Sequence, residues 1–241
     1  MALALGISAY SLMEGVYLPE DLGKLAIHLG YTDLALVDRG VHGLPRMREA
    51  AERLGLRFHV GCRLPLGDGE VFVLPLGSEG YTAMNKAITE RAHGRSWTWP
   101  EGCSLLADRW SAALALRDQA SDPGQVALLI GLGGWQLAQR ARSEGIAVTG
   151  PQVLRFLRPE GLALHKVKRA IALNTMLQDL KPKDYWEPRL AARTCHAWEQ
   201  GLSEEVNEGT RRLEAQLQGW TLPWGRWVLP SPPHLAPGQD V

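Results

Sequence analysis

Short apolar runs alternate with amphipathic stretches over the first 150 residues of the chain. The apolar runs are rich in Val, Leu and Ile and show little alternation with polar residues, which is typical of parallel strands covered on both faces. Seven strands are predicted, at Leu3–Ile7, Leu34–Val37, Phe58–Cys62, Val71–Pro75, Ala112–Leu116, Val126–Ile130 and Ile146–Thr149.

The amphipathic stretches between these runs predict helices. Pro19, with acidic residues directly after it, is typical of a helix start, and Gly30 of a helix end. Further helices are predicted at Leu44–Leu54, from a capping Ser78 to Ile88, and at Trp135–Ser143. The alternation predicts an α/β fold with parallel strands, and seven strands favour a closed or distorted barrel over an open sheet.

Beyond Gly161 the pattern becomes helical. In a helix at Leu162–Leu173, the positions predicted to face inward are Leu164, Val167, Ala170 and Ile171. The positions predicted to face outward are Lys166, Lys168 and Arg169. Two more helices are predicted near Arg189–Gln200 and Glu204–Gln218, followed by a proline-rich end. We therefore divide the chain into a barrel at residues 1–180 and a helical connector with a proline-rich tail at residues 181–241.

Composition narrows the class of protein. Hydrophobic residues make up 45% of the 241 residues and charged residues 22%, which is ordinary for a globular protein. The 26 basic and 26 acidic residues cancel, so overall charge favours neither nucleic acid nor a membrane surface. Three widely spaced cysteines suit a reducing compartment. No apolar run approaches the ~18 residues of a membrane span, and we expect a cytoplasmic protein without membrane contact.

The predicted strand ends offer little for a metal. Function in such barrels is found at the carboxyl ends of the strands, and there the sequence places one acid, Asp38, followed by Arg39. Arg63 lies at the next strand end, and the seven histidines show no metal-binding spacing. We expect no metal, no cofactor and no catalytic residue, with an ion pair between Asp38 and an arginine in place of cations.

Basic residues gather between Arg155 and Lys183, where seven basic residues outnumber two acidic ones. Such a cluster is usually a solvated helix face, but it is also a candidate contact for DNA phosphates or for an acidic partner. The residues of this candidate basic face are Arg155, Arg158, Lys166, Lys168 and Arg169.

Five segments, in this order, resemble motifs of the polymerase-and-histidinol-phosphatase (PHP) domain that opens bacterial C-family DNA polymerases, the DNA polymerase III alpha subunits. The first three segments are SAYSLMEG (8–15), LGYTDLALVDRG (29–40) and LRFHVGCRLPL (56–66). The last two are GIAVTGPQVLRFLRP (145–159), with its trailing LHKVKRAIALNTML (164–177), and RLEAQLQGWTLPWGRWVLPSPP (212–233). The resemblance implies a distorted seven-stranded, TIM-like barrel with a helical appendage at its C-terminal end.

The resemblance also implies a degenerate metal site. Asp38 matches the aspartate found in the metal-binding members. The histidines and other acids of their metal site are replaced in this sequence. By position in the motifs, the degenerate site consists of Leu5, Ile7, Asp38, Arg39, Arg63, Gln152 and Leu154.

Arginine at positions 39 and 63 of the motifs is most similar to the error-prone branch of the family. Members of that branch act in translesion synthesis and damage-induced mutagenesis. This implies a metal-free, catalytically inactive PHP domain that serves DNA replication or repair as a structural or protein-interaction module. A polymerase core or mutagenesis-complex proteins would be its partners. The sequence ends where the family's palm would begin, so we expect no DNA synthesis from this chain.

Two alternatives stay open. One is a divergent metal-dependent phosphoesterase with a site rebuilt from Asp38 and His42. The other is an accessory factor that binds DNA through the basic face between residues 155 and 183.

Overall fold

The computed structural model of the protein describes residues 2–156, 159–185 and 192–224. The strands are β1 (Leu3–Gly6), β2 (Asp33–Leu36), β3 (Arg57–Val60), β4 (Cys62–Leu66), β5 (Gly69–Pro75), β6 (Cys103–Ala107), β7 (Val126–Leu129), β8 (Ala147–Thr149) and β9 (Gln152–Leu154). The helices are α1 (Pro19–His28), α2 (Leu44–Leu54), α3 (Ser78–Ala92), α4 (Trp110–Gln119), α5 (Trp135–Ser143), α6 (Pro159–Ala172), α7 (Pro182–Tyr185), α8 (Cys195–Gln200) and α9 (Glu204–Gln218). No helix in these ranges is long and apolar enough to cross a membrane.

The strands form two sheets. One is a parallel sheet with the order β3-β2-β1-β9, and the other has the order β4-β5-β6-β7-β8. In the second sheet β5 is antiparallel to both neighbours, while β6, β7 and β8 are parallel. The predicted α/β class with parallel strands is confirmed. Closure into a barrel stays a prediction, because no strand ladder joins the two sheets within the described ranges.

The chain links the two sheets at two corners, between β3 and β4 and between β8 and β9. Gly61 forms the first corner. A Cβ atom at Gly61 would come within 2.7 Å of the Leu74 side chain and 3.0 Å of the Val37 side chain. Because interiors are packed to this density, only glycine lets the chain pass between the sheets here.

Several predicted boundaries differ from the structure. The run Ala112–Leu116 lies in helix α4, because a short apolar run fits a buried helix as well as a strand. The strand of the same region is Cys103–Ala107, which the sequence reading missed. Ser78 is the first residue of α3 rather than its cap. The described part of the helix predicted near Arg189–Gln200 begins at Cys195, and residues 186–191 lie outside the described ranges.

Two hydrophobic clusters hold the fold together. One packs the outer faces of the sheets against the helices. The other, which we call the inner cluster, joins both sheets, with Leu5 from β1, Phe72 from β5 and Leu106 from β6 all buried in it. Each such side chain contributes about 1.5–3 kcal/mol by leaving water.

Helix α9 packs directly on the sheets. Its Leu213 and Leu217 enter the inner cluster. The Glu214 carboxylate accepts a hydrogen bond from the Leu3 backbone N–H (2.9 Å), and the Thr210 hydroxyl accepts one from the Gly150 N–H (2.8 Å). The α9 helix therefore fastens both the first strand and the corner between β8 and β9. The division of the chain at residue 180 stays a prediction.

Helix α6 turns its polar side toward the sheets. The buried His165 donates a hydrogen bond from Nδ1 to the Glu14 carbonyl oxygen (2.9 Å), and Lys168 donates one to the Gly15 carbonyl oxygen. A third basic side chain, Arg169, donates to the Asp184 carbonyl oxygen of α7 (2.9 Å). The predicted outward direction of these basic residues is therefore wrong for Lys168 and Arg169.

The opposite side of α6 is apolar and exposed. Leu164, Val167 and Ile171 are 44%, 43% and 59% exposed, whereas Ala170 is buried. The prediction that these four side chains face inward is correct only for Ala170. Hydrophobic periodicity locates an apolar stripe on a helix, but it does not determine which side of the helix packs on the body.

Candidate functional site

The carboxyl ends of β1 and β2 meet the start of β4 at one rim of the molecule, where the Arg63 N–H donates to the Asp38 carbonyl oxygen (2.9 Å). We call this rim the mouth. Its polar side chains come from the loop after β1, the end of β2, and the hairpin formed by β4 and β5. The mouth consists of Ser8, Ser11, Glu14, Asp38, Arg39, Arg63 and Glu70.

Asp38 is buried and held by serines. Its Oδ1 accepts hydrogen bonds from the Ser8 N–H (2.8 Å) and the Ser11 hydroxyl (2.6 Å), and its Oδ2 accepts one from the Ser8 hydroxyl (2.6 Å). Burial raises the pKa of Asp38, and the hydrogen bonds from Ser11 and Ser8 only partly oppose that shift. The predicted ion pair between Asp38 and an arginine is wrong, since both oxygens are occupied by serine donors.

Gly15 allows the loop after β1 to close over Asp38. A Cβ atom at Gly15 would lie 1.7 Å from the Ser8 carbonyl oxygen, a distance that no side chain tolerates. The loop is further tied by the Ala9 N–H, which donates to the Tyr17 carbonyl oxygen (2.7 Å). The position of the serines at Asp38 thus depends on a close backbone approach that only glycine permits.

Arg63 is buried in the centre of the mouth. Its guanidinium donates to Glu14 Oε2 (2.6 Å), to Glu70 Oε2 (2.5 Å) and to the Val37 carbonyl oxygen (2.9 Å). Burial by itself would lower the pKa of Arg63, but the carboxylates of Glu70 and Glu14 outweigh it and raise that pKa. The side chain is therefore a permanent, fully paired positive charge.

A second guanidinium completes the group. Arg39 donates from Nε and Nη2 to Glu14 Oε1 (2.9 and 2.6 Å) and from Nη2 to Glu70 Oε1 (2.7 Å). Each glutamate therefore bridges Arg39 and Arg63, and we call these four residues the arginine–glutamate cluster. Burial would raise the pKa of Glu14, but Arg63 and then Arg39 lower it to about 2.

The residues of the mouth do not fit the divalent metals that the PHP resemblance implies. A catalytic metal cluster needs several carboxylates and histidines with lone pairs free to coordinate. Here the carboxylates of Asp38, Glu14 and Glu70 already accept hydrogen bonds from serine or arginine. Among the described residues no group of three or more His, Cys, Asp or Glu side chains is arranged to hold a metal ion.

The remaining predicted site positions lie in other surroundings. Leu5 and Ile7 are buried in the inner cluster. Leu154 packs in the outer cluster, and the Gln152 Oε1 accepts a hydrogen bond from the Tyr31 hydroxyl (2.8 Å). The structure thus brings Asp38, Arg39 and Arg63 together at the mouth and places the two β9 positions on the side of that strand that faces the helices.

The sequence patterns did not indicate that Glu14 and Glu70 belong to the site. Glu14 is 49 residues from Arg63, so no local pattern connects the two side chains. One signal was available, because Ser8, Ser11 and Glu14 follow one another at intervals of three residues after the first strand. Polar side chains that end a buried strand on the same loop are candidates to meet at the rim of a parallel sheet.

The candidate basic face does not form one free surface. Lys166 lies over the Tyr185 ring at 4.3 Å, while Lys168 and Arg169 donate to backbone carbonyl oxygens, as described above. Arg155 lies near the mouth, where its charge helps to lower the pKa of Glu14. Arg158 lies outside the described ranges.

His165 links α6 to the mouth. Burial, and then the charge of Arg155, lower the pKa of His165 to about 4, although its hydrogen bond to the Glu14 carbonyl oxygen acts in the opposite direction. The imidazole is therefore neutral at physiological pH and donates from Nδ1 to the carbonyl. This contact joins the apolar-faced helix to the loop that carries Ser8, Ser11 and Glu14.

A cavity of about 870 Å³ lies away from the mouth, between α9 and the amino ends of β6, β7 and β8. Leu106 and Leu213 line its apolar part, and Glu208 lies on its rim. The Glu208 carboxylate pairs with Arg211 (3.1 Å) and Arg212 (3.2 Å). The Glu208 charge is therefore paired within α9 itself.

Known proteins resemble this chain over part of their length. An error-prone DNA polymerase of Cutibacterium acnes is 38% identical over 96 residues, which cover 34% of this chain and 8% of the polymerase. Error-prone DNA polymerase 3 of Agrobacterium fabrum is 30% identical over 165 residues, which cover 66% of this chain and 14% of that polymerase. No family model matches the sequence.

Among solved structures, a Bacteroides vulgatus two-domain protein containing a predicted PHP-like metal-dependent phosphoesterase is similar with a TM-score of 0.42 and 13% identity. The match covers 63% of this chain and 51% of that protein.

The sequence relatives confirm the resemblance to the error-prone branch of the C-family polymerases. The chain spans only 8% to 14% of the length of these curated relatives.

Proposed function

We propose that this chain is a metal-free, catalytically inactive PHP-type domain that acts as a structural or protein-interaction module beside an error-prone DNA polymerase. The arginine–glutamate cluster is the observation that carries the proposal. Arg63 and Arg39 place two guanidinium charges between the carboxylates of Glu14 and Glu70. Fixed positive charge at this position repels the cations that a phosphoesterase of this type requires.

The protonation states in the mouth support the proposal. Glu14, with a pKa of about 2, is too weak a base to activate water near neutral pH. The Asp38 carboxylate is occupied by three hydrogen bonds from Ser8 and Ser11. His42, the other residue of the phosphoesterase alternative, has an exposed side chain. No observation favours that alternative over the inactive domain.

The DNA-binding alternative also has less support than the interaction module. A phosphate-binding face needs several cationic side chains aligned on one surface. The basic face is divided instead, because Lys168 donates to the mouth loop whereas Lys166 and Arg169 contact residues of α7.

Metal content and hydrolysis test the inactive state. The purified chain is incubated with Mn²⁺ or Zn²⁺, desalted and measured for bound metal and for hydrolysis of p-nitrophenyl phosphate. We expect neither stoichiometric metal nor turnover. Stoichiometric metal, together with hydrolysis that is lost in Asp38→Ala but kept in the surface control Asp122→Ala, would show an active phosphoesterase instead.

Association with a polymerase tests the interaction role. The full chain is mixed with an error-prone DNA polymerase polypeptide from the same source and separated by size-exclusion chromatography with light scattering. We expect co-elution with defined stoichiometry. Elution of the chain at its own mass of 26.5 kDa, at concentrations well above micromolar, would contradict the role.

A further inference from the structure

The exposed side of α6 is an apolar stripe with regular helical spacing. Leu164, Val167 and Ile171 are three and four residues apart, so they lie on one face, which is turned away from His165 and its contact with the mouth loop. A surface helix normally turns such a stripe toward the core, because burial of each large apolar side chain stabilises by about 1.5–3 kcal/mol. The reversed orientation leaves that stabilisation available to a partner.

The segment after α6 turns the stripe into a groove. Asn174 adopts a left-handed backbone conformation with φ 48°, and the chain reverses direction there. As a result Met176 and Leu177, both exposed, line a groove of about 600 Å³ together with Val167 and Ile171. Adaptable methionine side chains are typical of surfaces that accept partner helices.

The segment that forms the groove has a net positive charge in the sequence. Residues 159–185 contain five basic and three acidic side chains, an excess of two positive charges. Lys166, Arg169 and Lys181 belong to this segment. In the part of the chain that the structure describes, the cationic groups of these three residues form no ion pair with a carboxylate, although the Lys181 backbone N–H donates to Asp184 Oδ2 (2.8 Å). An occupant with acidic residues beside its apolar anchors is therefore complementary to this surface.

We propose that the groove formed by Val167, Ala170, Ile171, Met176 and Leu177 binds an acidic amphipathic helix of a partner protein. Apolar anchors at intervals of three and four residues on that helix would enter the groove, and flanking Asp or Glu side chains would lie near Lys166, Arg169 and Lys181. This inference rests on the proposed role as an interaction module and assigns that role to one surface.

A pair of synthetic peptides tests the charge and the apolar contact together. The acidic probe is a helical peptide of about five turns with Leu at the anchor positions and Glu on both flanks, and its twin carries Lys instead of Glu. We expect the full chain to bind the acidic probe at least about tenfold more tightly than the twin. Failure to bind the acidic probe, or equal binding of both peptides, would overturn the proposal.

Single substitutions locate the binding surface. Ile171→Glu and, independently, Leu177→Glu should each weaken binding of the acidic probe at least about tenfold, because each puts a negative charge into the groove. Ile27→Glu is the matched control, since Ile27 is also exposed but lies on α1, and it should leave binding unchanged. Unchanged binding in both groove variants, with unchanged circular dichroism, would contradict the proposal.

Methionine oxidation tests whether the groove is open in the free chain. Met176 is 67% exposed, whereas Met47 and Met84 are buried and serve as internal controls. In the monomer we expect peroxide to oxidise Met176 far faster than either control, and the acidic probe to slow only Met176. Protection of Met176 in the free monomer would mean that the chain covers its own groove. Protection that appears only with dimer formation would mean that a second copy is the occupant; either result overturns the proposal.

The groove and the interaction role can fail separately. If the chain binds the polymerase polypeptide equally well as wild type and as Ile171→Glu, the role stands and the assigned surface is wrong. If the chain binds the acidic probe through the groove but never binds the polymerase, the surface stands and the polymerase-associated role is wrong.

Discussion

The mouth and the outer side of α6 both reverse the usual distribution of polar and apolar groups, with opposite results. At the mouth, Glu14, Asp38 and Arg63 are buried, but each carboxylate and guanidinium of the arginine–glutamate cluster has its partners. On α6, hydrocarbon is exposed, and Leu164, Val167 and Ile171 face solvent.

The difference shows where this chain has binding capacity left. A buried charge that is fully paired gains nothing from a further ligand and resists any that would displace its partners. An exposed apolar groove gains stability from almost any complementary surface. Although its motifs resemble those of a catalytic rim, the carboxylates at that rim already accept hydrogen bonds from serine or arginine.

The largest effect is expected from Arg63→Met. Removing the guanidinium leaves the buried Glu14 and the half-buried Glu70 side by side, with the exposed Arg39 as the remaining arginine of the cluster, which should cost about 3–5 kcal/mol in the free energy of unfolding. Urea denaturation measures the change. The control is Arg212→Met, whose exposed ion pair with Glu208 contributes at most about 1 kcal/mol.

A double-mutant cycle sharpens this test. If the cluster acts as a unit, Arg63→Met combined with Glu14→Gln should cost clearly less than the sum of the single changes, because the double variant no longer buries a Glu14 carboxylate that has lost its Arg63 partner. Additive costs would show that Arg63 and Glu14 stabilise the mouth independently.

The second effect depends on pH and on His165. Its folded pKa of about 4 lies below the ordinary 6.5, so the unfolded chain binds the proton first as the pH falls. The stability that the neutral imidazole contributes is therefore complete above pH 6.5 and is lost between pH 6.5 and 4. The loss should reach about 2–3 kcal/mol, since one unit corresponds to about 1.4 kcal/mol.

Unfolding measured from pH 7 down to about pH 3 in the wild type and in His165→Gln checks this window. The variant should show a flatter dependence, while the loss below pH 4.5 that comes from Glu14 stays in both proteins. Parallel curves throughout the window would exclude His165 as the source.

A smaller effect is expected at Asp38. In Asp38→Asn, one oxygen becomes an amide donor that faces the hydroxyl and N–H donors of Ser8 and Ser11. The cost should be about 1–3 kcal/mol for the unsatisfied polar groups. Asp21→Asn on the exposed face of α1 is the control and should change the unfolding free energy by less than about 0.5 kcal/mol. An equal, small change in both variants would contradict the described bonding.

The smallest effect should come from the α6 face. Ile171→Ala is expected to alter stability by less than about 0.5 kcal/mol, because the side chain packs mainly against solvent. Leu213→Ala, which empties part of the inner cluster, should cost about 2–5 kcal/mol for a comparable loss of hydrocarbon. A costly Ile171→Ala would mean that the chain itself covers the groove.

The sequence predicted the elements better than their contacts. Runs such as Leu34–Val37 and Val126–Ile130 identified strands, because a buried parallel strand needs an unbroken apolar segment. The strand predicted at Ala112–Leu116 was wrong, because an unbroken apolar segment fits a buried helix equally well. Arg39 and Arg63 were recognised by their places in the motifs, and both lie at the mouth.

The partners of those arginines were beyond the reach of the sequence. Glu14 meets Arg63 only because the loop after β1 folds back over the end of β2, and that path depends on the contact of Gly15 with Ser8. The direction of α6 likewise depends on hydrogen bonds from His165 and Lys168 to a loop 150 residues away along the chain. Long-range contacts of this kind leave no periodic trace in a sequence.

The hydrogen bond from the Leu3 N–H to Glu214 has a consequence for synthesis in the cell. The first strand pairs with β2 on one side and β9 on the other, and a side chain from α9 fastens it. Of these neighbours, β9 and α9 leave the ribosome long after the first strand does. Until then, the edge of β1 that pairs with β9 in the folded protein stays unpaired in the nascent chain and can pair with other chains. Completion of this fold is therefore a late event, and chaperone dependence should decline once residues beyond Glu214 have emerged.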